Sequence, residues 1–131
     1  MFSATECVFM MGFGNRFRIS VSPHQHPSNS NAIAVTEGFQ NYPKISFYDP
    51  FFLFTNGYVN GRAATGDERR AAIVVHEWSH AYANAVAGGP TGSLDPRDEP
   101  TLKATASNNP DQAVKTAGAY EFYALEAYLA P

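Results

Sequence analysis

Residues 71–82 read AAIVVHEWSHAY: two histidines four apart, with a glutamate directly after the first, in an apolar, alanine-rich run. On an α-helix, positions i and i+4 lie one above the other, so His76 and His80 can reach one cation while the backbone stays regular. Glu77 is turned by about 100° from His76, as roughly 3.6 residues per turn dictates, which can set its carboxylate beside a metal's water rather than on the metal. Ala71, Val74, Trp78, Ala81, Tyr82 and Ala85 share one stripe at helical spacing, and Gly88, Gly89 and Pro90 end the pattern. The spacing predicts a helix over residues 67–87. Two histidines on an apolar helix can be plain core residues, but a glutamate beside the first is what hydrolytic zinc needs. Zinc lowers the pKa of bound water to about 7 and polarises a scissile carbonyl, and the glutamate takes the proton.

The bulk of the chain suits one domain, residues 1–131, with a core of its own. Hydrophobic residues make up 44% and charged ones 16%, which excludes a disordered chain. Net charge is −3, with no basic run longer than Arg69-Arg70, so a nucleic-acid partner is not expected. Nothing approaches the roughly 18 consecutive apolar residues of a membrane helix. Cys7 is the only cysteine, which rules out an internal disulfide, and with no His or Asn near it in sequence it reads as an inert thiol. The opening MFSATECVFMMGFGNRF places Glu6 before its apolar patch and lacks a basic lead-in, so it is not read as a signal peptide.

Three short β-branched or aromatic runs, at residues 17–21, 32–35 and 44–48, predict a small antiparallel sheet. Residues 88–109 read mainly as loop, with one helical turn near TLKATA. Asn109, Pro110 and Gln112 then supply a cap, a first helical residue and a reciprocal side chain, so a helix starts there. Gly118 is expected to interrupt it. In the resumed helix Tyr120, Tyr123, Ala124 and Ala127 share a face, and the tyrosine rings are expected in the core. The class is therefore α+β. His24 and His26, in PHQHP, read as an exposed loop rather than a second metal site, given the flanking prolines.

A catalytic zinc takes three protein ligands and a water. A third histidine on an extended motif would need Gly at 83 and His at 86, where the chain has Ala83 and Val86. A glutamate from a later helix, Glu121 or Glu126, could serve, and so could Asp95 in the GSLD loop.

HEWSH, then GSLD, then NNPDQAVKTAGAYEFYALEAY, with NAIAVTEGFQNYPKISFYDPFF upstream, together resemble the deuterolysin family of zinc endopeptidases, the aspzincins, which includes peptidyl-lysine metalloendopeptidases. The resemblance runs from Asn31 to the C-terminus. It implies a zincin-like fold, in which the small sheet packs against the HExxH helix and a C-terminal helical segment, and one Zn2+ per chain. His76, His80 and Asp95 match the metal ligands, and Glu77 matches the general base. Glu121 matches one of two acidic residues that receive the lysine after the scissile bond, while Gly118 stands where the other, an aspartate, would be. The implied substrate is a polypeptide, the implied location extracellular, and the implied preference a basic residue after the cleaved bond.

Departures from the family are specific. A Tyr and a Gly should follow Asp95 by three and four residues, but Asp98 and Glu99 stand there, with Asp98 a second candidate ligand. The family's tyrosine supports the oxyanion; Tyr82 or Tyr120 is the candidate substitute. The disulfides and the N-terminal helical segment of the family have no recognisable counterpart. The leading function is a zinc endopeptidase. The alternatives are a catalytically weakened or inactive zincin-fold binding protein and a zinc hydrolase of non-peptide amides; the retained Glu77 favours chemistry.

Overall fold

The computed structural model describes residues 5–10, 16–21, 31–37, 43–59, 61–86 and 98–129, with side chains for 31–37, 43–59, 61–81 and 98–128. Strands β1 (Thr5–Met10), β2 (Arg16–Val21), β3 (Ala34–Glu37) and β4 (Lys44–Phe47) form one sheet in the order β1-β2-β4-β3. The outer pairs are antiparallel, but β2 and β4 run parallel, with Ile19 opposite Ile45. The expected antiparallel sheet is thus a mixed one. A parallel pair needs a long connection, and here the chain between β2 and β4 contains β3, which turns back to pair with the far side of β4. β3 also starts two residues later than its sequence pattern suggests.

β4 supplies the floor of the core. Ile45, Ser46 and Phe47 are all buried, as a central strand requires. Phe47 meets Phe51 at 4.5 Å between ring centroids. Phe51 lies on the short helix α1 (Asp49–Phe52), and Ile73 and Ala81 complete the cluster from above. Each buried Ile or Phe contributes roughly 1.5–3 kcal/mol relative to exposure. A hairpin of β5 (Gly57–Val59) and β6 (Arg62–Ala64) follows, with Gly61 at φ 80 in its turn, a left-handed conformation that glycine tolerates.

The long helix α2 (Gly66–Val86) matches the expected span to within a residue at each end. Its start is fixed by a reciprocal cap that the sequence reading passed over: Thr65 Oγ1 accepts from the Glu68 amide, and Glu68 Oε2 accepts from the Thr65 amide at 2.6 Å. Arg69 and Arg70 donate to the carbonyls of Thr55 and Phe54, and the Arg69 guanidinium lies over the Phe54 ring. The buried face is Ala72, Ile73, His76, Glu77 and Ala81, whereas Ala71, Val74 and Trp78 are exposed. The predicted apolar stripe is therefore rotated by about one residue. The helix turns inward the side whose polar groups find partners on β3 and on the C-terminal helix.

That C-terminal region departs from expectation in three ways. Where one helical turn near TLKATA is expected within a loop, the chain forms a ten-residue helix, α3 (Glu99–Asn108), capped by Asp98, with only Leu102 buried. The next helix, α4 (Pro110–Ala113), starts at the Asn109 cap as expected but ends before Gly118 is reached. Gly118 lies inside α5 (Ala117–Leu129), because the break falls at residues 114–116, where the Thr116 hydroxyl donates to the Gln112 carbonyl. Tyr123 and Tyr128 are about three-quarters exposed and Tyr120 about half, so the tyrosine stripe is not core. α5 packs on α2, and its buried residues include Ala117 and Leu125 instead. No described helix is long and apolar enough to cross a membrane.

Candidate metal and catalytic site

Burial sets the terms on which α2 carries its polar residues. His76 and Glu77 are 1% and 3% exposed. An unsatisfied polar group there would cost roughly 1–3 kcal/mol. Among the described residues every buried side-chain nitrogen and oxygen has a partner. The partners come from opposite sides of the helix's surroundings.

The β3 side chain Thr36 reaches Glu77: its Oγ1 lies 2.7 Å from Oε2 and 3.1 Å from the backbone carbonyl oxygen. On the other side, α5 brings Glu121 Oε2 to 2.8 Å from His76 Nδ1. An ionised carboxylate only accepts, so a hydrogen bond between the two needs the hydrogen on Nδ1. His80, one turn on, sets its ring 5.0 Å from that of His76 at 78° between planes. Ser79 donates its hydroxyl back to the His76 carbonyl, 2.7 Å away.

These donors fit zinc in kind: two adjacent imidazoles, the first with its outer nitrogen fixed by a carboxylate, as in known metal-bound histidines. Among the described residues no three His, Cys, Asp or Glu side chains converge into a metal-holding group. Asp95 lies outside the described residues, as do His24 and His26, and the side chains of Cys7 and Tyr82 are likewise undescribed. Asp98, the second candidate ligand, is occupied elsewhere. It caps α3, accepting from the Thr101 amide at 2.9 Å, and the hydrogen bonds from Thr101 hold its carboxyl below the ordinary value. Of the other acids considered, Glu126 pairs with Arg62 at 2.7 Å. The Tyr120 hydroxyl donates to the Val114 carbonyl at 2.9 Å, so its one hydrogen is engaged in the turn before α5.

Two contacts escaped sequence reasoning. Thr36 is 41 residues from Glu77, and no local spacing points to it. The sequence marks Glu121 as a candidate ligand and as a substrate-side residue, but its bond to His76, 45 residues away, has no sequence signature.

Comparison with known families gives one finding: the sequence model of a family described as lysine-specific metallo-endopeptidase matches residues 13–125 of the 131. This extends the resemblance seen from Asn31 onward back over β2. The family is one of zinc metallopeptidases, so zinc is expected and the implied substrate is a polypeptide. No curated protein and no solved structure matches the chain.

Proposed function

The chain belongs to the lysine-specific metallo-endopeptidase family, the aspzincins of the deuterolysin group, and on that premise we propose that it is a zinc-dependent endopeptidase. His76, His80 and Asp95 would hold one zinc per chain. When bound, zinc supplies a Lewis acid for the scissile carbonyl and lowers the pKa of its water. Glu77 takes the proton from the attacking water and passes it to the departing amide nitrogen, so that the C–N bond breaks with a neutral amine leaving. Thr36 holds one oxygen of that carboxylate.

The observation that carries this reading is the pair of buried, separately anchored residues His76 and Glu77. A purely structural metal site has no need of a glutamate fixed beside it. For the oxyanion, Tyr82 or Tyr120 is proposed, and Tyr120 would have to release the Val114 carbonyl to serve. For specificity, a basic residue after the scissile bond is proposed, with Glu121 as its acceptor. One oxygen of Glu121 faces His76, and the partner aspartate is replaced by Gly118, so the preference is looser than strict lysine selection. An extracellular location is proposed from the family alone.

A second reading, a weakened or inactive binding protein, draws on Asp98. This residue stands at the family's tyrosine position and is committed to capping α3. Metal analysis with hydrolysis of a denatured protein, with and without chelator, separates the two. Chelator-sensitive cleavage with Lys or Arg enriched after the cut bond is the expected result. A protein that binds zinc and cleaves nothing is the second reading.

A further inference from the structure

The HExxH motif accounts for His76, Glu77 and His80, but it assigns nothing to the far side of the His76 ring. There Glu121 Oε2 lies 2.8 Å from Nδ1, with the imidazole side chain 1% exposed and the carboxylate 14%. We propose that Glu121 is a positioning residue of the metal site: it holds His76 as the Nδ1–H tautomer, aimed so that Nε2 presents its lone pair to zinc. This rests on the zinc reading above and gives Glu121 a task besides the substrate contact proposed there.

Ring geometry decides between this role and direct ligation. Nδ1 and Nε2 lie on different edges of the imidazole, so an oxygen bonded to Nδ1 is on the wrong edge to share a cation with Nε2. Burial decides between a fixed and a loose contact. In water the two side chains would exchange partners freely, but here the ring has no solvent to turn towards: a flipped imidazole would set Cδ2 against the carboxylate and lose the hydrogen bond, and the other tautomer would set an acceptor nitrogen there. The packing of α5 along α2 supplies the rigidity, since Glu121 sits in a helix whose neighbours Ala117 and Leu125 are buried. A carboxylate in this position also raises the basicity of the imidazole as a ligand, and loss of such a partner typically weakens metal affinity by 10–100-fold.

The test uses the whole chain in two measurements. In zinc-free protein with labelled histidine, nitrogen NMR at a pH where the ring is neutral should show His76 protonated on Nδ1. Chelator competition should show zinc held about 10–100-fold more weakly by Glu121→Ala. Glu121→Gln, whose amide oxygen still accepts from Nδ1, should keep the tautomer and lose less affinity, and it serves where the alanine variant fails to fold. A wild-type His76 protonated on Nε2, or Glu121→Ala and Glu121→Gln both binding zinc as tightly as wild type, overturns the role. A wild-type ring in the expected tautomer that binds no zinc at all sinks the zinc reading and the role with it, while leaving the bond itself in place.

Discussion

The Thr36 hydroxyl stands 2.7 Å from Glu77 Oε2 and 3.1 Å from the carbonyl oxygen of the same residue, so one strand side chain touches both ends of the general base proposed here. Thr36→Val keeps the shape and removes the donor. A hydrogen bond to a charged group contributes roughly 1.5–3 kcal/mol, and about 1.4 kcal/mol is tenfold in rate. The expected outcome in steady-state kinetics is a fall of kcat by roughly 10- to 100-fold with KM nearly unchanged and zinc content intact. Thr36→Ser should restore most of it. Unchanged kcat in the valine variant would mean that the hydroxyl serves only the backbone.

Asp95→Ala is expected to lower zinc occupancy sharply, measured by metal analysis after dialysis. It should do so more completely than Glu121→Ala, because a lost ligand removes a bond to the metal and a lost neighbour only loosens one. Equal retention of zinc by the Asp95 variant and wild type would move the third ligand elsewhere in the chain.

Asp98 gives a pH dependence whose sign can be worked out. The hydrogen bonds from Thr101 lower its carboxyl pKa in the folded state. A lowered folded value means that the cap stabilises above the unfolded pKa and that this contribution is lost as pH falls through the folded one. In thermal unfolding, wild type should therefore lose Tm relative to Asp98→Asn on acidification from neutrality to below roughly pH 4. The asparagine still caps but does not titrate. Parallel curves for the two proteins would contradict the assignment.

Gly66 opens the helix that carries the histidines, and a Cβ there would stand 2.5 Å from the backbone oxygen of Phe54. That oxygen also accepts from Arg70, while the Gly66 amide donates to Asn56 Oδ1 at 3.1 Å. Neither side can give way cheaply. Gly66→Ala should cost roughly 1–3 kcal/mol, as overpacked sites do, read as a lower midpoint in urea. A midpoint equal to wild type would show that the turn before α2 yields freely.

Much of this was legible in the chain because it is local. The α2 span, the Asn109 cap and the buried run of β4 each rest on residues within a few positions of one another. Of α3 only one turn, near TLKATA, shows in the sequence, although Asp98 and Pro100 announce its start, because Leu102 alone is buried and no apolar period shows. The inward face of α2 was misread for the opposite reason: its core side carries His76 and Glu77, which hydropathy scores as polar, while Val74 and Trp78 point outward. The parallel pairing of β2 with β4 and the Thr36 and Glu121 contacts depend on residues tens of positions apart, and periodicity carries no information about those.

The two anchors of the site also fix when it can exist. Thr36 meets Glu77 across 41 residues and Glu121 meets His76 across 45, from opposite directions along the chain. Closing loops of that size costs entropy that only tertiary packing offsets, so such contacts form late relative to helix formation. α2 can coil on its own schedule, yet its histidine lacks its acceptor until the last helix of the described chain has docked. During synthesis, the portion that holds Glu121 leaves the ribosome well after the motif does. An endopeptidase of the kind proposed would thereby be kept from having an ordered cutting edge until α5 has docked, and a truncation that removes α5 should yield a helix with the right letters and no aligned site.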